Sequence, residues 1–408
     1  MDKFANLKPT KHKLTNGGQG TVQVVKDPNG HTLVKKTMLS SATVAKRTEA
    51  LVGLSRQISS PYIAMPNAWR KTKNGKIQSL APFIEGVSLE EDQARGLPEL
   101  LEIALHGVSQ WVLLEDSGLA HGDIAPGNIL ISLDGATYWI DFDGANLPGP
   151  GMPPPETIGQ RPMLAPELRS GSQAPSITSD RYAMGVYLNM LLLCRHPIDG
   201  LAKTPVETDD FMSRNLWPER IRTPEAGDTP IEALSEGLMD LFDRAFSINP
   251  NVRPSAKEWQ LELTHALENT WVHDCGGAFV GADPHTLTCP HCGEIGARPP
   301  EVPLAANTGQ SVQVRLRVPD YSIDEILTLT PPQVFALGRD TIPALPQTIS
   351  GKHLHLAWIR GQLTIQHVGR NQSLVDIEHS YVPFTLVTLC QGETANLKLA
   401  GVDVVLEI

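Results

Sequence analysis

The sequence predicts a multidomain protein in which an α+β part, built of a small β-rich lobe and a large α-rich lobe, precedes an all-β unit. Its 408 residues exceed what a single hydrophobic core normally serves. Short strand-like runs mark about the first sixty residues, and helical spacing of apolar residues dominates residues 97–269. Beyond residue 311 apolar residues alternate with period two, which is typical of a β-sandwich.

Charge and hydropathy disfavour two classes of partner. The chain carries 34 Lys and Arg against 45 Asp and Glu, a net charge of −11, so it lacks the basic field that binds nucleic acid without sequence preference. The start does not resemble a secretory signal, and the longest apolar stretch, residues 182–194, is broken by Gly185 and Asn189. We therefore expect a soluble cytoplasmic protein with no nucleic-acid or membrane partner.

The first lobe carries a glycine cluster directly before its first strand-like run. Glycines let backbone N–H groups approach phosphate oxygens because no Cβ stands in the way. The next strand-like run ends at Lys35, and Glu49 lies on the helix that follows. If these two side chains meet, the ammonium can neutralise α/β-phosphate charge.

Two motifs in the second lobe give the strongest signal for chemistry. The stretch HGDIAPGNIL covers residues 121–130, and YWIDFDG covers 138–144. They resemble the catalytic loop and the metal-binding loop of the protein kinase family, in residue types and in spacing. The resemblance implies that Asp123 lies beside the attacking hydroxyl, that Asn128 and Asp141 hold Mg²⁺, and that Lys35 and Glu49 complete the catalytic set.

Further matches extend the resemblance through the α-rich lobe. LAPE at 164–167 resembles the end of the activation segment, and SDRYAMG at 179–185 resembles the helix whose aspartate steadies the catalytic loop. Arg253 is then the expected partner of Glu167. The same alignment makes Ala81 the gatekeeper before the hinge, and the residues that bind ATP become Gly17, Gly18, Gly20, Val22, Lys35, Pro82 and Ile84.

Several positions depart from the family pattern. Thr15 stands where the first glycine is usual, Ala125 replaces the lysine typical of serine/threonine kinases, and Gln160 replaces the threonine that braces the catalytic aspartate. Asp143 follows Asp141-Phe142 in place of glycine. Gly122 replaces the arginine that a phosphorylated activation loop engages, so we predict activity that does not strictly need that phosphorylation.

Three of the five cysteines fall within a short segment after the α-rich lobe. Cys275-Gly-Gly and Cys289-Pro-His-Cys292-Gly resemble the two knuckles of a zinc ribbon. A tetrahedral Zn²⁺ site needs a fourth ligand, for which His273 is favoured and His285 is the alternative. The other interpretation is a set of ordinary thiols in a glycine-rich connector.

In the final all-β part, FALGR at 335–339 is followed by ISGKH at 349–353 and VGRNQS at 368–373. In order and approximate spacing these motifs resemble those of a forkhead-associated (FHA) domain. That family binds phosphothreonine peptides, and a phosphate needs guanidinium, hydroxyl and amide donors. The matching positions here are Arg339, Ser350, Lys352, Arg370 and Asn371, with His353 as a structural brace. Gln372 departs from the glycine usual after the asparagine, and the alternative is a sandwich that does not read phosphate.

These interpretations give a kinase domain at 1–268 with its lobes meeting near residue 84, a zinc-ribbon-like connector at 269–298, a linker at 299–310 and an FHA-like sandwich at 311–408. The predicted function is ATP-dependent transfer of phosphate to Ser or Thr hydroxyls of protein substrates. The sandwich would recruit phosphothreonine-containing partners, or the protein's own phosphosites. The alternative is a pseudokinase adaptor that binds nucleotide without catalysis. The His-Gly-Asp loop also resembles small-molecule kinases of this fold and kinases of bacterial stress operons linked to tellurite resistance.

Overall fold

The computed structural model divides the chain into two compact units, residues 1–300 and 301–408. Within these units the structure describes residues 3–11, 20–39, 41–58, 60–89, 95–132, 135–223, 228–282, 287–300, 311–329, 335–359, 362–367, 371–377, 380–383, 386–390 and 392–408. The boundary lies inside the linker interpreted at 299–310. No helix among these residues is long and apolar enough to cross a membrane.

In its described part, the first lobe consists of a five-stranded antiparallel sheet and one α-helix. Its strands are β1 (Lys8–Pro9), β2 (Gly20–Lys26), β3 (Thr32–Met38), β4 (Ala68–Lys71) and β5 (Ile77–Pro82), in the order β1-β2-β3-β5-β4. Helix α1 (Ala42–Leu54) begins at Ser41, whose side chain accepts the Val44 N–H. The β2–β3 hairpin that the sequence predicts is therefore confirmed.

The second lobe is helical, and one long apolar core holds it together. Its helices are α2 (Leu97–Asp116), α3 (Ile177–Leu193), α4 (Pro205–Met212), α5 (Glu236–Ala245) and α6 (Ala256–Glu268). Helix α3 is buried on almost every side, which explains its nearly continuous apolar sequence. A short hairpin, β6 (Ile129–Ile131) with β7 (Thr137–Trp139), lies between α2 and α3 in the sequence and carries the predicted loops at its two ends.

The cysteine segment forms a second short hairpin and packs on the helical lobe. Strands β8 (Thr270–Val272) and β9 (Ala278–Val280) pair antiparallel. Phe279, Val280 and Cys289 belong to the same buried cluster as the residues of α2 and α6. The connector is therefore part of the first unit rather than a free linker.

The second unit is an all-β sandwich, as the alternation predicts. Its described residues form ten strands, which are β10 (Val312–Val318), β11 (Ile323–Leu329), β12 (Phe335–Leu337), β13 (Leu354–Ile359), β14 (Gln362–His367), β15 (Ser373–Ile377), β16 (Ser380–Pro383), β17 (Leu386–Cys390), β18 (Thr394–Leu399) and β19 (Val402–Glu407). They form a six-stranded sheet, β11-β10-β19-β18-β15-β16, and a four-stranded sheet, β12-β13-β14-β17. Leucines, isoleucines and valines from both sheets form its buried core.

Candidate active site

A buried aspartate of α3, Asp180, anchors the backbone of the catalytic-loop motif. The Asp180 carboxylate accepts the backbone N–H of His121 at 2.5 Å and that of Gly122 at 3.0 Å. Burial raises the pKa of Asp180 to about 7, despite these two hydrogen bonds. The His121 ring is fully buried, lies 4.8 Å from the Phe142 ring and bonds to the Ile140 carbonyl. The loop is thus fixed through both its backbone and its first side chain.

Gly122 occupies a place that a side chain cannot share. Its φ is +73°, and a Cβ there would lie 2.3 Å from the Gly144 carbonyl oxygen. The contact brings the catalytic loop directly against the metal-binding loop. A glycine at this position therefore has a steric reason, in addition to removing the arginine usual in the family.

Asp123 and Asn128 are brought together as the spacing predicts. The Asn128 amide donates to the Asp123 carbonyl at 2.8 Å and to its carboxylate at 2.9 Å. Both contacts use the amide nitrogen, so the amide oxygen of Asn128 stays available as an acceptor. Burial raises the pKa of Asp123 above its ordinary value.

Asp141 lies at the end of the β6–β7 segment in a left-handed backbone conformation, with φ of +56°. Its side chain is 46% exposed, whereas Phe142 behind it is buried. This combination points the carboxylate into the cleft while the ring anchors the loop in the core. Phe142, Asp143 and Gly144 form the 3₁₀ turn that follows Asp141.

The structure places Lys36, rather than Lys35, opposite these aspartates. The Lys36 ammonium lies 3.3 Å from the Asp141 carboxylate and forms an ion pair with Asp143. Burial alone would lower the pKa of Lys36, but the two carboxylates outweigh burial and raise it. The expectation for Lys35 is therefore wrong by one residue.

Strand register explains the correction. The sequence interpretation ended the strand at Lys35, whereas β3 continues to Met38. Lys36 pairs with Val22 on β2 and with Ser79 on β5, so it shares a face with Val34 and Ala81 two residues away. Lys35 pairs with Leu80 and belongs to the opposite face. The alternation of Val34, Lys36 and Met38 is the signal that identifies the correct lysine.

Glu49 does not face this cleft, which corrects a second expectation. The inner face of α1 carries Arg47, Thr48, Leu51 and Val52, all buried, while Glu49 is exposed. The Arg47 guanidinium donates to the carbonyl oxygens of Asp143 at 2.9 Å, Ala145 at 2.6 Å and Pro153 at 3.0 Å. Helix phase thus gives the inward position to a cation, which the sequence analysis missed.

The predicted nucleotide contacts are only partly described. Gly17 and Gly18, with Thr15, lie outside the described residues, whereas Gly20 and Val22 begin β2. A Cβ on Gly20 would lie 2.4 Å from the Thr37 carbonyl oxygen, so this glycine has a structural requirement of its own. Pro82 ends β5, and Ile84 lies two residues beyond it in the segment interpreted as the hinge.

The expected pairing of the activation-segment end is confirmed. Arg253 is fully buried and donates to the two carboxylate oxygens of Glu167, at 2.7 and 2.9 Å. The activation segment also contacts the catalytic loop, because the Gly159 N–H donates to the Gly122 carbonyl at 3.0 Å. The C-terminal part of the segment is therefore tied to the helical lobe at two points.

The fold and these pairings agree with a match to a known family. A family model described as "Protein kinase domain" matches residues 10–272. The chain belongs to the protein kinase family.

Curated relatives of this kinase include proteins from bacteria and from an animal. This chain is 30% identical over 148 residues to a probable serine/threonine-protein kinase PknB of Lactococcus lactis. The aligned region covers 34% of this chain and 23% of the relative. It is 26% identical over 335 residues to a probable serine/threonine-protein kinase pknA2 of Bifidobacterium longum, covering 78% and 43%. Sperm motility kinase 2B of Mus musculus is 25% identical over 191 residues, covering 47% and 34%. The matched region spans less than half of each of these relatives.

The cysteine segment of this kinase gathers four potential metal ligands. Ligand atoms of His273, Cys275, Cys289 and Cys292 all lie within 4.8 Å of one another. The Cys275 and Cys289 sulfurs are 3.8 Å apart, and His273 Nδ1 lies 3.4 Å from the Cys292 sulfur. Of the two predicted fourth ligands, His273 lies in the cluster, and His285 lies outside the described residues.

Tight turns shape both knuckles of this cluster. Gly276 and Gly293 have φ of +85° and +82°, and the Gly293 N–H donates to the Cys289 carbonyl at 2.8 Å. Cys289 is completely buried, while Cys275 and Cys292 are exposed. The nearby His291 faces elsewhere, since its ring nitrogen bonds to the Ala278 carbonyl.

Loops at one end of the sandwich gather most of the predicted phosphate-binding residues. The Arg339 N–H donates to the Ser350 carbonyl at 3.2 Å, and its guanidinium Nε donates to Ile349 at 2.6 Å. The Asn371 amide reaches the Thr348 carbonyl at 2.7 Å. Lys352 is exposed on the same loop, and Arg370 lies outside the described residues.

His353 acts as the brace that the sequence predicts. It is fully buried, accepts the Ser350 N–H at 3.1 Å and bonds to the Ser373 hydroxyl at 3.1 Å. These contacts join the loop before β13 to the start of β15. Burial, with a smaller contribution from His367, lowers the pKa of His353 to about 4.

Proposed function

We propose that this protein transfers the γ-phosphoryl group of ATP to Ser or Thr hydroxyls of protein substrates. The observation that carries the proposal is the convergence of Asp123, Asn128, Asp141 and Lys36 at one cleft. A phosphoryl transition state is strongly anionic and needs positioning and cations more than covalent chemistry from the protein. These four side chains supply the corresponding groups.

The donor set fits a magnesium nucleotide. Asp141 is half-exposed toward the cleft and Asn128 has a free amide oxygen, and such hard oxygen donors are the ligands that Mg²⁺ prefers. Bound Mg²⁺ would neutralise charge on the β- and γ-phosphates. Asp123 is positioned to orient the acceptor hydroxyl and receive its proton. Lys36 supplies the cation for the α/β-phosphates in place of Lys35.

A large groove beside the catalytic loop supports a polypeptide acceptor. Its volume is about 890 Å³, and its lining includes Pro126 of the catalytic loop, Gln160 and Met163 of the activation segment, and Leu191 and Ile198. Small-molecule sites have similar volumes, so the lining, which joins the catalytic loop to the activation segment, is what favours a polypeptide acceptor. The Ser/Thr kinase names of the bacterial relatives favour the same acceptor class.

Incubation with ATP, Mg²⁺ and a generic protein substrate, followed by phosphosite mass spectrometry, tests this function. We expect phosphoserine and phosphothreonine with the natural enzyme and their loss in Asp123→Asn and Asp141→Asn. Asp210→Asn, an exposed change on α4, is the matched control and should match the natural enzyme. Phosphate incorporation no higher than that of Asp141→Asn would favour the pseudokinase adaptor, and phosphorylation of small molecules alone would reject the protein acceptor.

We further propose that His273, Cys275, Cys289 and Cys292 bind one structural Zn²⁺. Four ligand atoms at mutual distances of 4.8 Å or less suit a tetrahedral ion with sulfur and nitrogen ligands. Thiolate ligation also favours a reducing compartment, the cytoplasm. Metal analysis of the purified full chain should give one zinc per molecule, and a cysteine count by thiol titration should rise after chelation. Absence of stoichiometric zinc from the folded protein would reject the site.

The sandwich is proposed to bind phosphothreonine peptides. Arg339, Ser350, Lys352 and Asn371 lie on loops that the hydrogen bonds above hold together, and they offer guanidinium, hydroxyl, ammonium and amide donors. Fluorescence titration of the full chain with phosphothreonine and unmodified peptides tests this. We expect selective binding that is lost in Arg339→Ala and kept in Arg315→Ala, whose charge pairs with Asp324 on β10 and β11. Equal weak binding of both peptides would contradict the proposal.

A further inference from the structure

The carboxylate beside the catalytic lysine comes from an unusual place. In the family that this sequence resembles, a glutamate of the helix after the lysine strand carries this role, and Glu49 was the expected residue. Here Glu49 is exposed, and the carboxylates that contact the Lys36 ammonium belong to Asp141 and Asp143. Both lie in the metal-binding loop.

Asp143 is well suited to hold the lysine permanently. Its side chain is 19% exposed and that of Lys36 is 14% exposed, so their ion pair is largely screened from water. Asp141 is more open, at 46%, and is the residue whose oxygen faces a bound cation. When Asp141 binds Mg²⁺, Asp143 is the carboxylate that remains for Lys36.

Helix α1 reaches the same loop through Arg47 instead of a glutamate. Arg47 donates to the backbone carbonyls of Asp143 and Ala145, and to that of Pro153 further along the activation segment. Its guanidinium is buried and always charged. The helix therefore fixes the backbone of Asp143, and the carboxylates that contact Lys36 come from the loop instead of the helix.

We propose that Asp143 is the positioning residue for Lys36, taking the place of a helix α1 glutamate, and that Arg47 holds its backbone. This proposal rests on the proposed kinase function, because the lysine is placed for a nucleotide. The extra aspartate after Asp141-Phe142 then has a defined purpose. The position of Lys36 then depends on the contact between the loop and α1 through Arg47. A change at Glu49 does not alter that position.

Steady-state kinetics with ATP as the varied substrate provide the first test. Asp143→Asn keeps the shape and removes the charge, so we expect the KM for ATP to rise and kcat to fall, together at least about tenfold in kcat/KM. Asp143→Glu should recover a substantial part of the loss because it restores the carboxylate. Glu49→Gln is the matched control and should leave both constants unchanged. Loss of activity in Glu49→Gln with an unaffected Asp143→Asn would overturn the proposal, as would an Asp143→Asn effect confined to the Mg²⁺ requirement.

A double-mutant cycle on urea unfolding tests the pairing without using catalysis. We expect Lys36→Met and Asp143→Asn to be non-additive, and Lys36→Met and Glu49→Gln to be additive. The reverse pattern would overturn the proposal. If the natural enzyme shows no transfer above Asp123→Asn, the kinase function fails while this cycle still decides whether Asp143 holds Lys36.

Discussion

Arg253 donates to both carboxylate oxygens of Glu167 across 86 residues of chain, at 2.7 and 2.9 Å. The guanidinium is fully buried and also donates to the carbonyls of Ser247 and Thr178. The pair thus ties the end of the activation segment to the beginning of α3 and to the segment after α5. Its geometry is bidentate, the arrangement in which arginine binds a carboxylate best.

Glu167→Ala should destabilise the protein by about 3 to 5 kcal/mol, because it leaves Arg253 buried without its counter-charge. Asp210→Ala removes an exposed ion pair between Asp210 of α4 and Arg214, so it should lower the stability by less than about 1 kcal/mol. Urea unfolding followed by tryptophan fluorescence measures both. If the free energy of unfolding falls equally in the two variants, the buried pair stabilises the protein no more than the exposed one.

Gly122→Ala should be far more harmful than an alanine at another left-handed glycine. Gly171 has φ of +70° with nothing near its Cβ direction, so Gly171→Ala should cost about 1 to 2 kcal/mol from backbone strain alone. At Gly122 the added Cβ meets the Gly144 carbonyl oxygen as well. We expect a further loss of at least about 1 kcal/mol and a sharp fall in kcat, since the catalytic and metal-binding loops must separate. Similar stabilities of the two variants would contradict the close approach.

Thr157→Ala should retain most of the activity of the natural enzyme. Gly122 offers no cation to a phosphorylated activation loop, and that segment is already tied down by Gly159 and by the Glu167–Arg253 pair. The measurement is phosphate transfer by the variant and by the natural enzyme, the latter both before and after treatment with phosphatase. If the variant is inactive but has the same unfolding temperature as the natural enzyme, activation-loop phosphorylation is required after all.

His273→Ala should lower zinc affinity by at least about tenfold, whereas His291→Ala should leave the zinc content unchanged. The first removes a ligand atom of the four-residue cluster, and the second removes a ring that bonds to Ala278. Competition with a chromophoric chelator measures the affinity of each variant. Because Cys289 lies in the core of the helical lobe, chelation should also lower the unfolding temperature of that unit. Zinc lost equally from both variants would contradict the assignment of the fourth ligand.

The second unit should lose stability as pH falls from about 6.5 to about 4 because of His353. Its native pKa is lowered to about 4. Over this pH range the unfolded chain therefore binds a proton at His353 that the native state does not bind. The contribution is fully present above pH 6.5 and disappears as pH falls through the native pKa. Calorimetry of the full chain should show a weaker acid dependence of the sandwich transition in His353→Gln, and an unchanged one in His31→Gln, an exposed control. An identical dependence in all three proteins would refute the assignment.

Much of the catalytic apparatus follows directly from the sequence. The resemblance of two motifs to the kinase loops identifies Asp123, Asn128 and Asp141, and only a short loop and the β6–β7 hairpin separate them in the sequence. The same resemblance implies the pairing of Glu167 with Arg253, which lie 86 residues apart. For the three clustered cysteines, local turns limit the geometry.

Tertiary structure decided the choices that depend on the face of an element. Lys35 and Lys36 are adjacent, and a strand that continues to Met38 turns one inward and the other outward. On α1 the inward position falls to Arg47 because Thr48, Leu51 and Val52 fix the phase of the helix, and Glu49 is left in solvent. The sequence by itself determined which groups a phosphate-transfer site contains. Only the packed fold decided that Asp143 stands beside the lysine, because a one-residue change of phase reverses what a side chain can reach.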